Sequence, residues 1–268
     1  MTMTLDPRTA GYVLAHSHSW EPRGGGAAQS GFKVIGHRGA AGHAPENTFA
    51  AFDHGIEMGC DGVETDIRAT RDGALVLMHD ATVDRTTDGS GPINELTWAE
   101  VRALDAAAKF REGKHEYGAQ RVPRLDEFLD RYGSRTRYRL EIKQRGVENP
   151  SLRAVRARSL MEYVVFTSFS LDSVRAVRRA APEAQVAYLS SEPVFDAAVI
   201  QKALDAGANE VAPRAERATA AEIRRAQAAG LRVWAWGVRD RETIARALSE
   251  GIGGSTLDYP EWGLELRG

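Results

Sequence analysis

From Phe32 onward the chain alternates short β-branched runs with amphipathic stretches of helical period, and this rhythm constrains the fold more than any other feature. Strands that alternate with helices in this way build βαβ units, and successive units build a parallel sheet. Eight strand-like runs fall near residues 33–36, 62–67, 139–142, 164–168, 185–189, 210–212, 232–237 and 254–257. A chain of 268 residues fits one (β/α)8 barrel, for which about 250 residues is typical. The expectation is an α/β chain with a single barrel domain over residues 32–268. Residues 1–31 lack clear periodicity and read as an irregular extension whose His16 and His18 are ordinary surface histidines.

The intervening helices carry their own start and stop signals. Thr219-Ala220-Ala221-Glu222 has the spacing of a capping box, in which hydroxyl and carboxylate satisfy free amides of the first turn, and Gly230 ends that helix. Asp240 is placed to cap the next, whose Ile244, Ala247 and Leu248 form an apolar stripe before Gly251. The stretch between Lys143 and Tyr163 looks short for a full crossover helix.

One excursion breaks the rhythm. Val63 to Thr70, then Arg71-Asp72-Gly73, then Ala74 to Met78 predicts a hairpin rising from the second barrel strand. Because the returning arm retraces the outgoing one, His79 comes back toward Glu64 and Asp66. Residues 81–123 then read as a polar, turn-rich insertion with one short helix after Thr97-Trp98-Ala99-Glu100. A connection this long inside a barrel is usually functional, which makes it a small cap, with a peripheral stabilising loop as the plainer reading.

Composition narrows the function classes. The 35 Lys and Arg nearly balance the 37 Asp and Glu, so no overall field favours nucleic acid or an anionic membrane. The one cysteine, Cys60, rules out an intramolecular disulfide framework and suits a reducing compartment, so a cytoplasmic location is expected. No apolar run approaches the length of a membrane span or of an export signal.

Residues two apart in a strand share a face, so Glu64 and Asp66 present two carboxylates to the barrel interior, and Glu141 and Lys143 do the same from the next barrel strand. Three converging carboxylates repel one another unless a cation neutralises them. Oxygen-only ligands point to a hard ion, magnesium or calcium, rather than zinc. Taken alone, the Glu64/Asp66 pair is better explained by arginine partners, which are plentiful in this chain. Other polar groups at strand ends shift the balance: His37-Arg38-Gly39 follows the first strand and His79-Asp80 ends the hairpin. Two histidines beside a metal and an arginine suit phosphate-ester cleavage, where one imidazole takes a proton and the other gives one.

The ordered series His37-Arg38-Gly39, Pro45-Glu46-Asn47-Thr48, Glu64-Thr65-Asp66, His79-Asp80, Leu140-Glu141-Ile142-Lys143 and Ser168-Phe169 resembles the glycerophosphodiester phosphodiesterases over about residues 33–260. Asp84-Arg85-Thr86-Thr87 and Val122-Pro123-Arg124-Leu125 extend the match through the insertion. The resemblance implies hydrolysis of small-molecule glycerophosphodiesters to glycerol 3-phosphate and an alcohol. It implies one divalent cation (magnesium or calcium, with manganese a third option) held by Glu64, Asp66 and Glu141. His37 and His79 become the acid–base pair, and Arg38 and Lys143 the phosphate holders. Trp236, whose family counterpart walls the substrate pocket, takes the same place or fills core; Trp234 and Phe169 carry the same two readings.

Departures cluster late. Where family members often carry W-T-V-N, this chain has Trp236-Gly237-Val238-Arg239, so Arg239 is expected to shift preference toward a more anionic head group. Gly253-Gly254-Ser255-Thr256-Leu257-Asp258-Tyr259-Pro260 replaces a more apolar final strand. Two other readings accompany the first: a phospholipase D-like or phosphoinositide phospholipase-like enzyme acting on lipid, and a non-catalytic barrel that binds a phosphate ligand.

Overall fold

The computed structural model describes residues 31–110 and 117–267. The extension over residues 1–31, with His16 and His18, lies outside them apart from Gly31. The strands are β1 (Lys33–Gly36), β2 (Gly62–Ala69), β3 (Leu75–Leu77), β4 (Tyr138–Ile142), β5 (Val164–Ser168), β6 (Gln185–Ser190), β7 (Glu210–Pro213), β8 (Arg232–Val233) and β9 (Gly254–Leu257). They run in the order β8-β7-β6-β5-β4-β2-β1-β9, parallel throughout, while β3 pairs antiparallel with β2. A parallel bridge between Ala235 and Ser255 joins the two ends, with Ala235 N donating to Gly254 O at 3.1 Å and Gly253 N to Val233 O at 2.8 Å. The fold is a (β/α)8 barrel.

The helices that follow the strands are α1 (Phe49–Glu57), α2 (Trp98–Arg102), α3 (Leu125–Tyr132), α4 (Glu148–Arg156), α5 (Leu171–Ala180), α6 (Ala197–Asp205), α7 (Ala220–Ala228), α8 (Arg241–Ser249) and α9 (Glu261–Leu264). Period-two alternation sorts the barrel residues. Val63, Leu140, Phe166, Val186, Val211 and Val233 point outward into the layer shared with the helices, whereas Ile35, Leu189, Ala212 and Trp234 form a separate cluster inside the barrel. The outer layer is tightly packed: the Phe52 and Phe128 rings sit 4.5 Å apart and both are fully buried. Truncating either costs about 3–5 kcal/mol through lost contacts and the cavity left behind. None of the described helices is long and apolar enough to cross a membrane.

Three expectations need correcting or refining. The expected strand over 232–237 keeps regular pairing only at Arg232–Val233. Its path continues, since Trp234 N donates to Val211 O and Trp236 N to Pro213 O, but Pro213 has no amide hydrogen to return, so the ladder loses one rung there before Ala215 N donates to Trp236 O at 2.9 Å. The segment after Lys143 does hold a crossover helix. The nine residues of α4 rise about 1.5 Å each, which carries the chain back along most of the five-residue β4. At α7, Thr219 accepts from Glu222 N at 3.4 Å, but the Glu222 carboxylate lies 3.6 Å from Arg225 rather than reciprocating, so only half of the box forms. Asp240 caps α8 by accepting from Thr243 N at 2.7 Å.

The hairpin forms as expected, Ile67 facing Leu77 and Ala69 facing Leu75, with Gly73 at φ +83° making the turn that a side chain would strain. The residues beyond it are less polar in effect than their composition suggests. Val83, Ile93, Val101 and Val122 bury against Val76 and Met78 of the returning arm, giving this segment its own apolar core. The Thr97/Glu100 capping box at α2 is complete. In β9 the small residues are required rather than merely tolerated. A Cβ at Gly254 falls 2.7 Å from the Trp234 ring, and Ser255 Oγ donates to Ala235 O at 2.8 Å across the barrel seam.

Candidate active site

The register of β2 against β4 pairs Asp66 with Glu141 and Glu64 with Arg139, which stacks the acidic side chains on adjacent inward positions. One ligand oxygen from each of Glu64, Asp66 and Glu141 lies within 4.8 Å of the others, and all three residues are buried. Burial, followed by the Asp66 charge, pushes Glu64 up to about 7 and Glu141 up to about 8. Asp66 moves the other way: burial raises it, but Arg38, Lys143, His79 and the Asn47 amide together hold it below the usual carboxylate range.

Two cations reach into this cluster. Lys143 Nζ sits 2.9 Å from Glu141 Oε1 and 3.6 Å from Asp66 Oδ1, and Arg38 Nε sits 3.4 Å from Asp66 Oδ2. Arg38 adopts φ +51° and Asn47 φ +57°, both unusual for residues with a side chain. The two stabilise each other, because Asn47 N donates to Arg38 O at 3.0 Å. The twist at Arg38 aims its backbone N–H at Glu64 Oε2, 3.0 Å away, and leaves its guanidinium over Asp66. The turn at Asn47 brings its amide to Asp66 Oδ2 at 2.9 Å, while its carbonyl accepts from Thr65 Oγ1 at 2.7 Å.

The two histidines line the same cavity as Glu64 and Glu141. His37 Nε2 is 3.9 Å from Glu64 Oε2, and its Nδ1 is 2.6 Å from Asp258 Oδ1, a residue just past β9. Burial and Arg38 lower the His37 pKa, but the Asp258 bond and the Glu64 charge outweigh them and raise it overall. His79 returns beside β2 as the hairpin requires, with Met78 N donating to Asp66 O and Arg68 donating twice to His79 O. Burial, with Arg38 and Lys143 adding to it, holds its pKa below the ordinary value. Its Nδ1 is 2.7 Å from Asp80 Oδ1.

His37, Arg38, Glu64, His79, Glu141 and Trp236 line one cavity of about 210 Å³ at the carboxyl ends of the strands, and Asp66 and Lys143 join it through their ion pairs. Trp236 stands in its wall, Nε1 donating to Ser190 O at 3.2 Å and its ring edge-on to Phe169 at 5.0 Å. Trp234 lies deeper, buried inside the barrel, with the Arg139 guanidinium 4.3 Å from its ring centre. Arg239 is exposed, one residue beyond Val238 of the cavity wall.

Several polar residues of the site carried no role in the sequence reading. Asp258 was visible only as part of a divergent final strand, and Asn47, Glu46 and Arg85 only as letters within motifs. Arg139 with Glu210, a fully buried ion pair on the barrel floor, gave no signal because their strands are far apart in sequence.

All-oxygen donors from three buried carboxylates form a set suited to a hard divalent cation. Asp66 Oδ1 makes the fit specific, since it is buried without a hydrogen-bond partner, its nearest cation being Lys143 at 3.6 Å.

The family model described as the glycerophosphoryl diester phosphodiesterase family matches residues 37–262. The glycerophosphodiester phosphodiesterase of Caldanaerobacter subterraneus subsp. tengcongensis is 32% identical over 237 residues, covering 85% of this chain and 94% of that protein. A glycerophosphodiester phosphodiesterase structure from Agrobacterium tumefaciens superposes with a TM-score of 0.75 at 28% identity, covering 88% of this chain and all of the other. An Oleispira antarctica phosphodiesterase, solved in complex with its product sn-glycerol-3-phosphate, superposes with a TM-score of 0.74 at 25% identity, over 87% of this chain and 95% of that one.

Proposed function

The chain belongs to the glycerophosphoryl diester phosphodiesterase family and is a phosphodiesterase that acts on glycerophosphodiesters; from that premise we propose a metal-dependent hydrolysis to glycerol 3-phosphate and an alcohol, with His37 and His79 as the acid–base pair. The observation that carries the proposal is the gathering of Glu64, Asp66 and Glu141 within 4.8 Å at a cavity that both histidines line, with Asp66 Oδ1 left without a hydrogen-bond partner.

Glu64, Asp66 and Glu141 hold the cation, magnesium or calcium, with manganese a third candidate. When bound, it supplies Lewis-acid polarisation of the phosphoryl group and neutralises charge on it. Arg38 offers forked donors to the phosphate oxygens and Lys143 a point charge; both already lie against the carboxylates that fix their positions. Of the two imidazoles, one takes the proton of the attacking hydroxyl and the other gives one to the leaving oxygen. Each has its Nδ1 held by a carboxylate, so that Nε2 is the working nitrogen. Trp236 walls the substrate pocket.

The barrel as one domain over residues 32–268, with the 81–123 segment as its cap, belongs to the same proposal, as does a reducing compartment, which rests on Cys60 alone. The membership in a phosphodiesterase family removes the non-catalytic reading, and no observation favours a lipid substrate. His37→Ala and His79→Ala test the role assignment: each lowers turnover by about 100-fold or more while the metal-induced rise in melting temperature persists. Near-normal turnover in both variants contradicts it.

A further inference from the structure

Arg85 stands at the middle of an unbroken chain of charged groups that links the two halves of the site. Arg38 Nη1 donates to Glu46 Oε1 at 2.9 Å. Arg85 Nη2 donates to that same oxygen and Nη1 to Glu46 Oε2, both at 2.7 Å, while Arg85 Nε donates to Asp80 Oδ2 at 2.5 Å. Asp80 Oδ1 in turn meets His79 Nδ1 at 2.7 Å. Four side chains of alternating charge therefore run from Arg38 to Asp80, and the series ends on the His79 imidazole. Arg85, contributed by the segment beyond the hairpin, is the member that joins the Glu46 and Asp80 carboxylates.

We propose that Arg85 is a positioning residue for catalysis: the inserted segment uses its guanidinium to lock Glu46 and Asp80, and through them sets Arg38 and His79 in one geometry. The inference rests on the roles proposed above for those two residues. Its physical content lies in the fork. A planar guanidinium satisfies both oxygens of Glu46 with its two terminal nitrogens and still has Nε free for Asp80, which the compact ammonium of lysine does not reproduce. Without that fork, Glu46 has only Arg38 as a partner and draws it away from Asp66, and Asp80 is free to rotate off the imidazole it orients. Partial burial works against the Asp80 charge, yet Arg85 and His79 hold its carboxyl down to about 2, so it remains an acceptor across the working pH range. Positioning by such charge-assisted contacts is worth about 1.5–3 kcal/mol each, or roughly 10- to 150-fold in rate.

The surroundings provide a direct test. The Arg85 side chain is 47% exposed and lines a cavity of about 480 Å³ beside Thr86, Lys109 and Phe110, so free guanidinium has access to the space that a truncated side chain vacates. Release of glycerol 3-phosphate from glycerophosphocholine, in the best-supporting metal, is measured for the unmodified enzyme, Arg85→Ala, Arg85→Lys, Asp80→Asn and the Asp80→Asn/Arg85→Ala double variant. Arg85→Ala is expected to lose about 10- to 100-fold in kcat with KM within about threefold. Guanidinium chloride restores it several-fold, and sodium chloride at equal ionic strength does not. Arg85→Lys stays close to the alanine variant, and the double variant is no slower than its slower parent, because both changes break one chain. The proposal is overturned by a kcat within about twofold of normal, by a loss confined to KM, by full activity in Arg85→Lys, or by losses that multiply in the double variant. Should Arg85→Ala fail to fold, as judged by circular dichroism, Arg85→Lys against Asp80→Asn decides the matter in the same way. Absence of glycerol 3-phosphate release by the unmodified enzyme instead contradicts the proposed function itself.

Discussion

Asp258 Oδ1 lies 2.6 Å from His37 Nδ1, joining the loop after the last strand to the loop after the first, 221 residues apart in sequence. The barrel's closure creates this contact, since β1 and β9 are neighbours. It fixes the tautomer of His37 and turns Nε2 toward Glu64. Asp258→Asn keeps the shape but removes the charge, and the expected result is a fall in kcat of about 10- to 100-fold, the worth of one charge-assisted hydrogen bond. KM and the metal-induced rise in melting temperature stay near normal. Steady-state kinetics of the purified variant check this, and an unchanged kcat contradicts the positioning role.

Glu64 and Glu141 are held at about 7 and about 8 in the fold, above their ordinary value of 4.5. Between 4.5 and 8 these two carboxyl groups therefore hold more protons in the folded chain than in the unfolded one. Stability from these groups is full below the unfolded value and is lost as pH rises through the folded values. A divalent cation needs the same carboxylates unprotonated, so its stabilising effect grows as protons leave. The melting temperature without metal is expected to fall from pH 5.5 to pH 8.5, and the increment given by saturating manganese or magnesium to widen over the same range. Thermal melts with and without chelator check both trends; an increment that shrinks with pH contradicts the carboxylate cluster as the metal site.

Trp236 forms cavity wall through a ring contact to Phe169 at 5.0 Å, and its indole is anchored on Ser190 O. Trp236→Ala is expected to raise KM by about 2- to 12-fold, the equivalent of an aromatic contact of 0.5–1.5 kcal/mol, with kcat changed less. Trp236→Phe retains most of the affinity. A loss in kcat alone points instead to a role in supporting the catalytic groups.

Arg139 and Glu210 lie buried together on the barrel floor, where Trp234 covers the guanidinium. Arg139→Met leaves the buried Glu210 carboxylate facing Arg232 alone of its two arginine partners, at 3.7 Å, and is expected to cost up to about 3–5 kcal/mol in urea unfolding, whereas the Arg139→Met/Glu210→Met pair recovers part of that loss. A double variant as unstable as the single one shows that packing, rather than the charge, dominates there.

The barrel was legible because each strand and helix signals itself locally: β-branched runs, a Thr or Asp cap, a glycine stop. The carboxylates Glu64, Asp66 and Glu141 were legible for the same reason, since period-two alternation fixes their face and the parallel register brings adjacent strands together. What stayed hidden depends on closure. His37 with Asp258, and Arg139 with Glu210, are paired by strands that become neighbours or face one another only once the sheet is a cylinder. Arg85 was hidden differently, because its partners Glu46 and Asp80 lie 39 and 5 residues away on two separate turns.

The most direct test of the central claim is release of glycerol 3-phosphate from a panel of soluble glycerophosphodiesters, assayed after chelation and again with magnesium, calcium or manganese restored singly. The account predicts that release stops on chelation and returns with at least one of these ions. Release that continues undiminished in chelator, or that no ion restores, contradicts it.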